Sequence, residues 1–330
     1  MSRMTWKPIC IVLSLAACRM AAETAALAGD DPAALFEQAR ALDRPEGGRE
    51  TLVEAARLYE SAARGGHLAA MTRVGILYVM GEGVEEDEAR GANWIRRAAE
   101  AAHPRALGEY GLLLAEGWGV EEDDVAAVAW YRKAAAAGDP LGLARLGFAY
   151  ELGEGIEADP KQAKRWFVEA RAALERDLRD LQTTGDPELA MMLGILLDEG
   201  LGGRTDDGRA VALYRQAAEA GHAESQFYLA GMLLEGEGTK RNASEAIRWY
   251  IRAANQGDDE AMEELARIYA EGDGVDGPAH VYWSARAEIL ELEAEDDPDL
   301  PNDQERKLEA ELRAHLRAYE TTHPEVAPSR

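Results

Sequence analysis

Residues 69–83 read AAMTRVGILYVMGEG, residues 105–119 read RALGEYGLLLAEGWG and residues 141–155 read LGLARLGFAYELGEG. The same pattern returns at 188–202 (ELAMMLGILLDEGLG), 224–238 (ESQFYLAGMLLEGEG) and 260–274 (EAMEELARIYAEGDG). The glycines that open each Gly-x-Gly, at 81, 117, 153, 200, 236 and 272, are separated by 36, 36, 47, 36 and 36 residues. A period of this length marks one supersecondary unit, copied and stacked so that each copy buries its apolar face on its neighbours.

Each quoted segment has the 3- and 4-spaced apolar residues of a helix, as in Val74, Leu77 and Tyr78. A small residue recurs in phase inside it: Gly75, Gly111, Gly147, Gly194, Ala230 and Ala266. Glycine within a helix costs about 1 kcal/mol relative to alanine, so four at one phase predict a second helix in close approach. The Gly-x-Gly supplies residues able to take positive φ and end the helix. A second helix then starts behind a cap residue: Thr51, Asp87, Asp123, Asp159, Asp206 and Asn242 share one phase. A large residue (Leu58, Trp94, Trp130, Trp166, Leu213, Trp249) is read as the wedge between units. An Ala-Ala pair closes most copies. The unit is therefore helix, glycine turn, capped helix, short turn.

Taken together, these positions resemble the Sel-1-like repeat, a relative of the tetratricopeptide repeat with a longer internal loop. Residues 69–259 match it in five copies, 31–68 only in their second half, and 260–293 in part. The resemblance implies an all-α fold, a right-handed superhelical solenoid of about seven antiparallel helix pairs over residues 31–293. The departure is an eleven-residue excess near Arg171–Asp186, about three helical turns. It is expected to lengthen the second helix of the fourth copy, with Leu174, Leu178 and Leu181 on one face. Residues 294–330 are expected to form a polar capping helix and a tail.

At the N-terminus, Arg3 and Lys7 precede an apolar run from Ile9 to Ala17, too short to span a bilayer. Residues 1–17 therefore read as a signal peptide, followed by a flexible linker over 18–30. Leu15-Ala16-Ala17-Cys18 resembles the bacterial lipoprotein box, in which the cysteine is acylated; the alternative is ordinary cleavage after Ala26-Leu27-Ala28. Cys10 and Cys18 are the chain's two cysteines, so the mature chain has no disulfide and no thiol nucleophile. Some secreted relatives carry cysteine pairs in every repeat and are linked to β-lactams; the pairs are missing here, and that activity is not carried over. The net charge of −26 opposes nucleic acid and anionic lipid and favours partners with basic segments.

No catalytic, cofactor-binding or metal-binding constellation is expected. His67, His103 and His222 recur at one inter-repeat turn, where Asp139 and Asp258 stand in other copies, which points to a structural or solvated role. Glu82, Glu85, Glu86 and Asp87 and, one repeat on, Glu121, Glu122, Asp123 and Asp124 form acidic loops, read as solvated turns, since no loop has a calcium-type spacing, with a calcium site or a dock for a basic segment as the functional alternatives. Trp118 stands where other copies have mostly acid, either as an exposed contact or folded back on its helix. Tetratricopeptide-like repeats line their concave side with first helices. By that resemblance Ile76, Leu112, Phe148, Met191, Ile195 and Phe227 form an apolar groove floor for a peptide or helix, or else fill contacts between successive first helices. The expectation is a non-catalytic scaffold on the periplasmic side of a bacterial envelope, an outer-membrane lipoprotein touching the membrane only through its N-terminal lipid. The alternatives are a periplasmic regulator that binds a sensor, or a cell-wall or β-lactam hydrolase.

Overall fold

The computed structural model describes residues 31–43, 48–180 and 186–271, and the regular structure among them is thirteen α-helices. The signal segment, Cys18, the linker, the last glycine turn and the C-terminal capping helix lie outside the described residues. The helices group into two compact units that part between Trp166 and Phe167. The first contains α1 (Pro32–Leu42), α2 (Gly48–Arg64), α3 (Leu68–Met80), α4 (Glu88–Glu100), α5 (Pro104–Glu116), α6 (Asp124–Ala136), α7 (Pro140–Leu152) and the start of α8 (Pro160–Asp180). The second contains the rest of α8, α9 (Pro187–Asp198), α10 (Asp207–Glu219), α11 (Ala223–Glu235), α12 (Ala243–Ala254) and α13 (Asp259–Glu271).

The phased aspartates cap the second helices. Asp87, Asp123 and Asp206 accept from the backbone amides of Arg90, Ala126 and Arg209, at 3.0, 2.8 and 3.2 Å. Asn242 accepts from Glu245 N at 3.2 Å, and its side-chain amide donates to the Glu245 carboxylate at 2.9 Å. Thr51 departs from the expectation: α2 already begins at Gly48, so Thr51 lies inside the helix. A helix the repeat pattern did not announce, α1, packs on α2 through Leu35 and Ala39. Asp31 starts it by accepting from Ala33 N at 3.2 Å, and Pro32 fills its first turn.

Within each pair the phased glycine receives a side chain. A methyl on Gly111 would come within 2.6 Å of the Tyr131 ring, and on Gly194 within 2.6 Å of the Tyr214 ring. At Gly75 it would lie 2.9 Å from the Gly91 carbonyl. The filler is the residue after the phased tryptophan: Ile95, Tyr131 and Tyr214 in these copies. The tryptophans sit one position away: Trp94 belongs to a core cluster that also holds Leu107 and Ala134 of the next repeat, and Trp130 meets the Tyr110 ring of its own pair edge-on at 5.1 Å.

Between repeats the contact is closer still. The first glycine of each turn is the left-handed cap, for example Gly117 at φ 70°. The second meets backbone. A methyl on Gly83 would stand 2.6 Å from the Leu52 carbonyl carbon, and on Gly119 or Gly155 it would overlap the Glu88 or Asp124 carbonyl. In the second unit Gly238 meets Asp207 in the same way, while Gly202 meets Phe167. Gly119 N also donates to the Glu88 carboxylate at 2.9 Å, 31 residues back.

Gly119→Ala should therefore destabilise by more than the roughly 1–2 kcal/mol of a left-handed alanine alone. Gly138→Ala, at φ 79° with open space around the new methyl, isolates that strain. Denaturant titration of both variants checks this; equal losses would mean the backbone approach at Gly119 costs nothing.

Candidate interaction surface

The first helices α3, α5 and α7 present Ile76, Leu112 and Phe148 half-buried in the first unit. In the second unit α9 and α11 present Ile195 and Phe227 in the same state. Met191 does not join them. At 6% exposure it is a core residue of the second unit, because α9 is buried on nearly every side, Leu189 to Gly194 in unbroken succession. Trp118 is half-buried and packs, together with Ile76, on a cluster of Val79, Ala92, Ile95 and Leu113. Its ring is thus folded back onto the preceding repeat.

Charge in the first unit is organised by arginines on these helices. Arg73 reaches Asp43 with two nitrogens, at 2.7 and 2.9 Å, and Glu82 at 3.3 Å, while the Tyr59 hydroxyl donates to Asp43 at 3.1 Å. Arg105 and Arg145 hold the buried Glu109 from two helices, at 2.6 and 3.3 Å. Burial opposes ionisation of Glu109, but the guanidiniums of Arg145 and Arg105 hold its carboxyl below the ordinary glutamate value. Glu82, Asp87 and Asp123 from the acidic loops are thereby accounted for as an arginine partner and two helix caps.

The turn histidines have a specific task. Nδ1 of His67, His103 and His222 accepts from the amides of Ala70, Ala106 and Ser225, at 3.2, 3.4 and 3.3 Å. Each imidazole is the N-cap of the following first helix. Asp139 and Asp258 do the same for Gly142 and Ala261, at 2.7 and 2.8 Å. The substitution of histidine by aspartate at one phase was the available signal, since both side chains offer an acceptor. A cap must accept, so the ring is neutral with its proton on Nε2. Burial, then the charges of His67 and Arg105, keep His103 below the ordinary histidine value; burial does the same for His222 against the pull of Asp186.

The architecture is that of an all-α helical-hairpin repeat protein. The Sel1 repeat family profile matches residues 52–67, 68–103, 104–139, 140–173, 187–222, 223–258 and 259–277, together more than half of the chain. The chain belongs to the Sel1 repeat family. Among solved structures it is similar to a Sel1 repeat protein from Oxalobacter formigenes, at 27% identity and TM-score 0.48, over 83% of this chain and 100% of that one. It is also similar to a protective antigen of uropathogenic Escherichia coli with the same repeat fold, at 26% identity and TM-score 0.40, over 90% of this chain and 71% of that one. An immunity protein from Pseudomonas aeruginosa aligns at 18% identity and TM-score 0.40, over 80% of this chain and 84% of that one. Comparison with curated protein sequences finds no match. Proteins of this family are generally protein–protein interaction scaffolds rather than enzymes.

Two outcomes follow from the polar groups. A histidine with a depressed folded pKa contributes stability that is complete above its unfolded value, near 6.5, and is lost as pH falls below it. Urea melts at pH 7.5 and 5.5 should thus show wild type losing more stability than His103→Asn/His222→Asn, whose amide caps do not titrate; matching losses would show the imidazole caps to be inert. Separately, Glu109→Gln leaves two guanidiniums beside a neutral amide and should cost about 3 kcal/mol at pH 7. That difference should shrink as pH falls below the unfolded glutamate value, about 4.5, and through the depressed folded one, since a lowered pKa confers stability that is complete only above the unfolded value.

Proposed function

We propose that this chain is a non-catalytic scaffold of the bacterial cell envelope, holding partner proteins on the first-helix face of its repeats. The observation that carries the reading is the row formed by Ile76, Leu112 and Phe148. These apolar side chains stay partly open to solvent on helices most of whose other apolar residues are buried, and they recur at one register of the repeat. Accessible apolar side chains repeated at one register make a surface, not a pocket. The polar groups that chemistry would require are used structurally: the three described histidines cap helices, and Glu109 is held between Arg105 and Arg145.

The envelope setting rests on the N-terminal residues. Arg3 and Lys7, the apolar run to Ala17 and the box ending at Cys18 fit export followed by acylation, with the lipid as the only membrane contact. Acylation with several chains would hold the scaffold firmly at a membrane surface. Partners are then proteins of the same compartment, with basic segments favoured by the net charge of −26.

Photo-crosslinking amino acids placed at Ile76 and Leu112 in living cells should capture discrete protein partners. Phe148→Glu should reduce that capture at least fivefold while the protein's melting curve stays unchanged, a loss of about 1 kcal/mol or more of binding. Undiminished capture in the folded variant would remove this face from consideration. Labelling with a palmitate analogue should mark wild type and spare Cys18→Ala; equal labelling ends the lipid anchor.

A further inference from the structure

The first-helix face of the second unit differs in charge from that of the first, at the same positions of the repeat. In the first unit Arg73, Arg105 and Arg145 stand on α3, α5 and α7 and are matched by Asp43, Glu82 and Glu109. Two of these helices end in the exposed apolar residues Met80 and Leu152. In the second unit α9, α11 and α13 together carry nine carboxylates and one basic residue, Arg267, which pairs with Glu264 at 2.6 Å.

Those carboxylates frame an aromatic strip. On α11 the accessible residues Glu224, Phe227, Tyr228, Gly231 and Glu235 follow one another at spacings of three and four along one face, while Ser225, Gln226, Leu229 and Ala230 are buried. Tyr228 stacks on Tyr214 with ring centres 5.2 Å apart, and Phe227 meets the Tyr250 ring edge-on at 5.7 Å. The Tyr228 hydroxyl donates to Glu224. Neighbouring helices add charge of the same sign: Asp258 and Glu260, at the start of α13, act on Glu224, and Glu199, at the end of α9, acts on Tyr228. Partial desolvation, then these charges, hold the Glu224 carboxyl above the ordinary glutamate range. Asp198 is raised by burial and by Glu199, Asp207 and Glu237. Among the described residues, none of Asp198, Glu199, Glu224 and Glu260 has an ion-pair partner. The carboxylates are also spread along the helices: no group of three acidic, histidine or cysteine residues among those described is placed to hold a metal ion.

We propose that this face of α9, α11 and α13 docks a lysine- and arginine-rich protein segment. The aliphatic stems of that segment lie on Ile195, Phe227 and Tyr228. Its charged heads reach Glu188, Glu224 and Glu260 on one margin and Glu199 and Glu235 on the other. Long basic side chains suit such a strip, because they bury methylenes while keeping the cation in water, and because a cation is attracted to an aromatic face. A compact divalent ion would meet too few oxygens at any one point. The proposal rests on the scaffold reading above and assigns the partner's chemistry to the second unit. The first unit, with its paired arginines and apolar margins, is left for a contact of a different kind.

The test uses the full mature chain and a fluorescein-labelled repeating Lys-Leu-Gly peptide, with the Glu-Leu-Gly peptide as its charge-reversed partner, read by anisotropy. The lysine peptide should bind and the glutamate peptide should not. Binding should weaken about tenfold or more between about 50 mM and about 500 mM salt, as screening removes exposed charge pairs. Glu224→Gln/Glu260→Gln should weaken it by a similar factor; the change is near-isosteric and relieves repulsion, so the fold is not at risk. Leu152→Gln, on the first unit, should leave it unchanged. Wild-type affinity in the double glutamine variant, or equal binding of the glutamate peptide, overturns the proposal. If that happens while cellular crosslinking at Ile76 and Leu112 still captures partners, this inference alone fails and the scaffold reading stands.

Discussion

The structure depends on one close approach: the second glycine of each described turn set directly against the backbone of the preceding repeat's second helix. Gly83 on Leu52, Gly119 on Glu88, Gly155 on Asp124 and Gly238 on Asp207 are the same contact in four places. No side chain can intervene there, so the distance between repeats is fixed by backbone rather than by side-chain packing. The Gly-x-Gly therefore has two separate duties. Its first glycine is a left-handed helix cap, which asparagine could also serve. Its second is needed for the absence of a Cβ as much as for its positive φ. Close packing of the larger side chains follows from that spacing, since Trp94, Leu107 and Ala134 can meet only when successive hairpins are held near each other.

The same contact explains how the chain absorbs eleven extra residues. Eight of them fall in α8, which runs 21 residues where α4, its counterpart, has 13. Gly119, Gly155 and Gly238 each meet the first residue of a second helix, 31 positions upstream, and the equivalent in α8 is Pro160. Gly202 instead meets Phe167, seven residues further along. The ion pairs shift by the same amount. Arg90 reaches back 30 residues to Glu60, whereas Arg209, at the equivalent position, reaches back 34 to Glu175. Seven of the extra residues therefore lie in α8 before the contact, one lengthens α8 beyond it, and the other three lie between the end of α8 and α9. Seven residues are two helical turns, so the displacement along α8 returns the same face to the neighbour. Burial shows the substitution: Ala163 and Phe167 are buried, and so are Ala170 and Leu174, each seven residues on. An excess that was not near a whole number of turns would have rotated a charged face of α8 into the joint.

Most of the architecture was legible because repetition lets one position vouch for another. The cap phase, the glycine turns and the extra length at α8 all followed from alignment of the copies with each other. The misreadings fall where that support was thin. Thr51 matched the cap phase, but the preceding residues continue the helix back to Gly48, so the match was coincidental. The tryptophans drew attention as the largest rings, yet the glycines are filled by the next residue, which is isoleucine in one copy and tyrosine in others. α1 was hidden because a terminal helix has a neighbour on one side only and need not keep the repeat's small residues. Met191 was placed on the groove by counting back from Gly194, although a helix rich in leucine and methionine buries nearly its whole circumference, which leaves counting without a polar face to anchor it.

The inter-repeat turns show how one geometric requirement can be met by two chemistries whose responses to acid run in opposite directions. At His103, Asp139, His222 and Asp258 the cap is desolvated, and burial disfavours whichever form of the side chain is charged. For His103 and His222 that lowers the pKa, and their contribution to stability is lost as pH falls below about 6.5. For Asp139 and Asp258 burial raises the pKa, so the folded chain takes up the proton before the unfolded chain does. Their contribution then moves the other way, and the penalty of holding a buried carboxylate is relieved as pH falls toward 3.8. A solenoid capped by histidine alone would weaken at every joint on mild acidification. One capped by aspartate alone would add still more buried negative charge to a chain already at −26. Mixing the two along the same phase lets the joints respond to acid in opposite directions, so that no single protonation loosens all of them together.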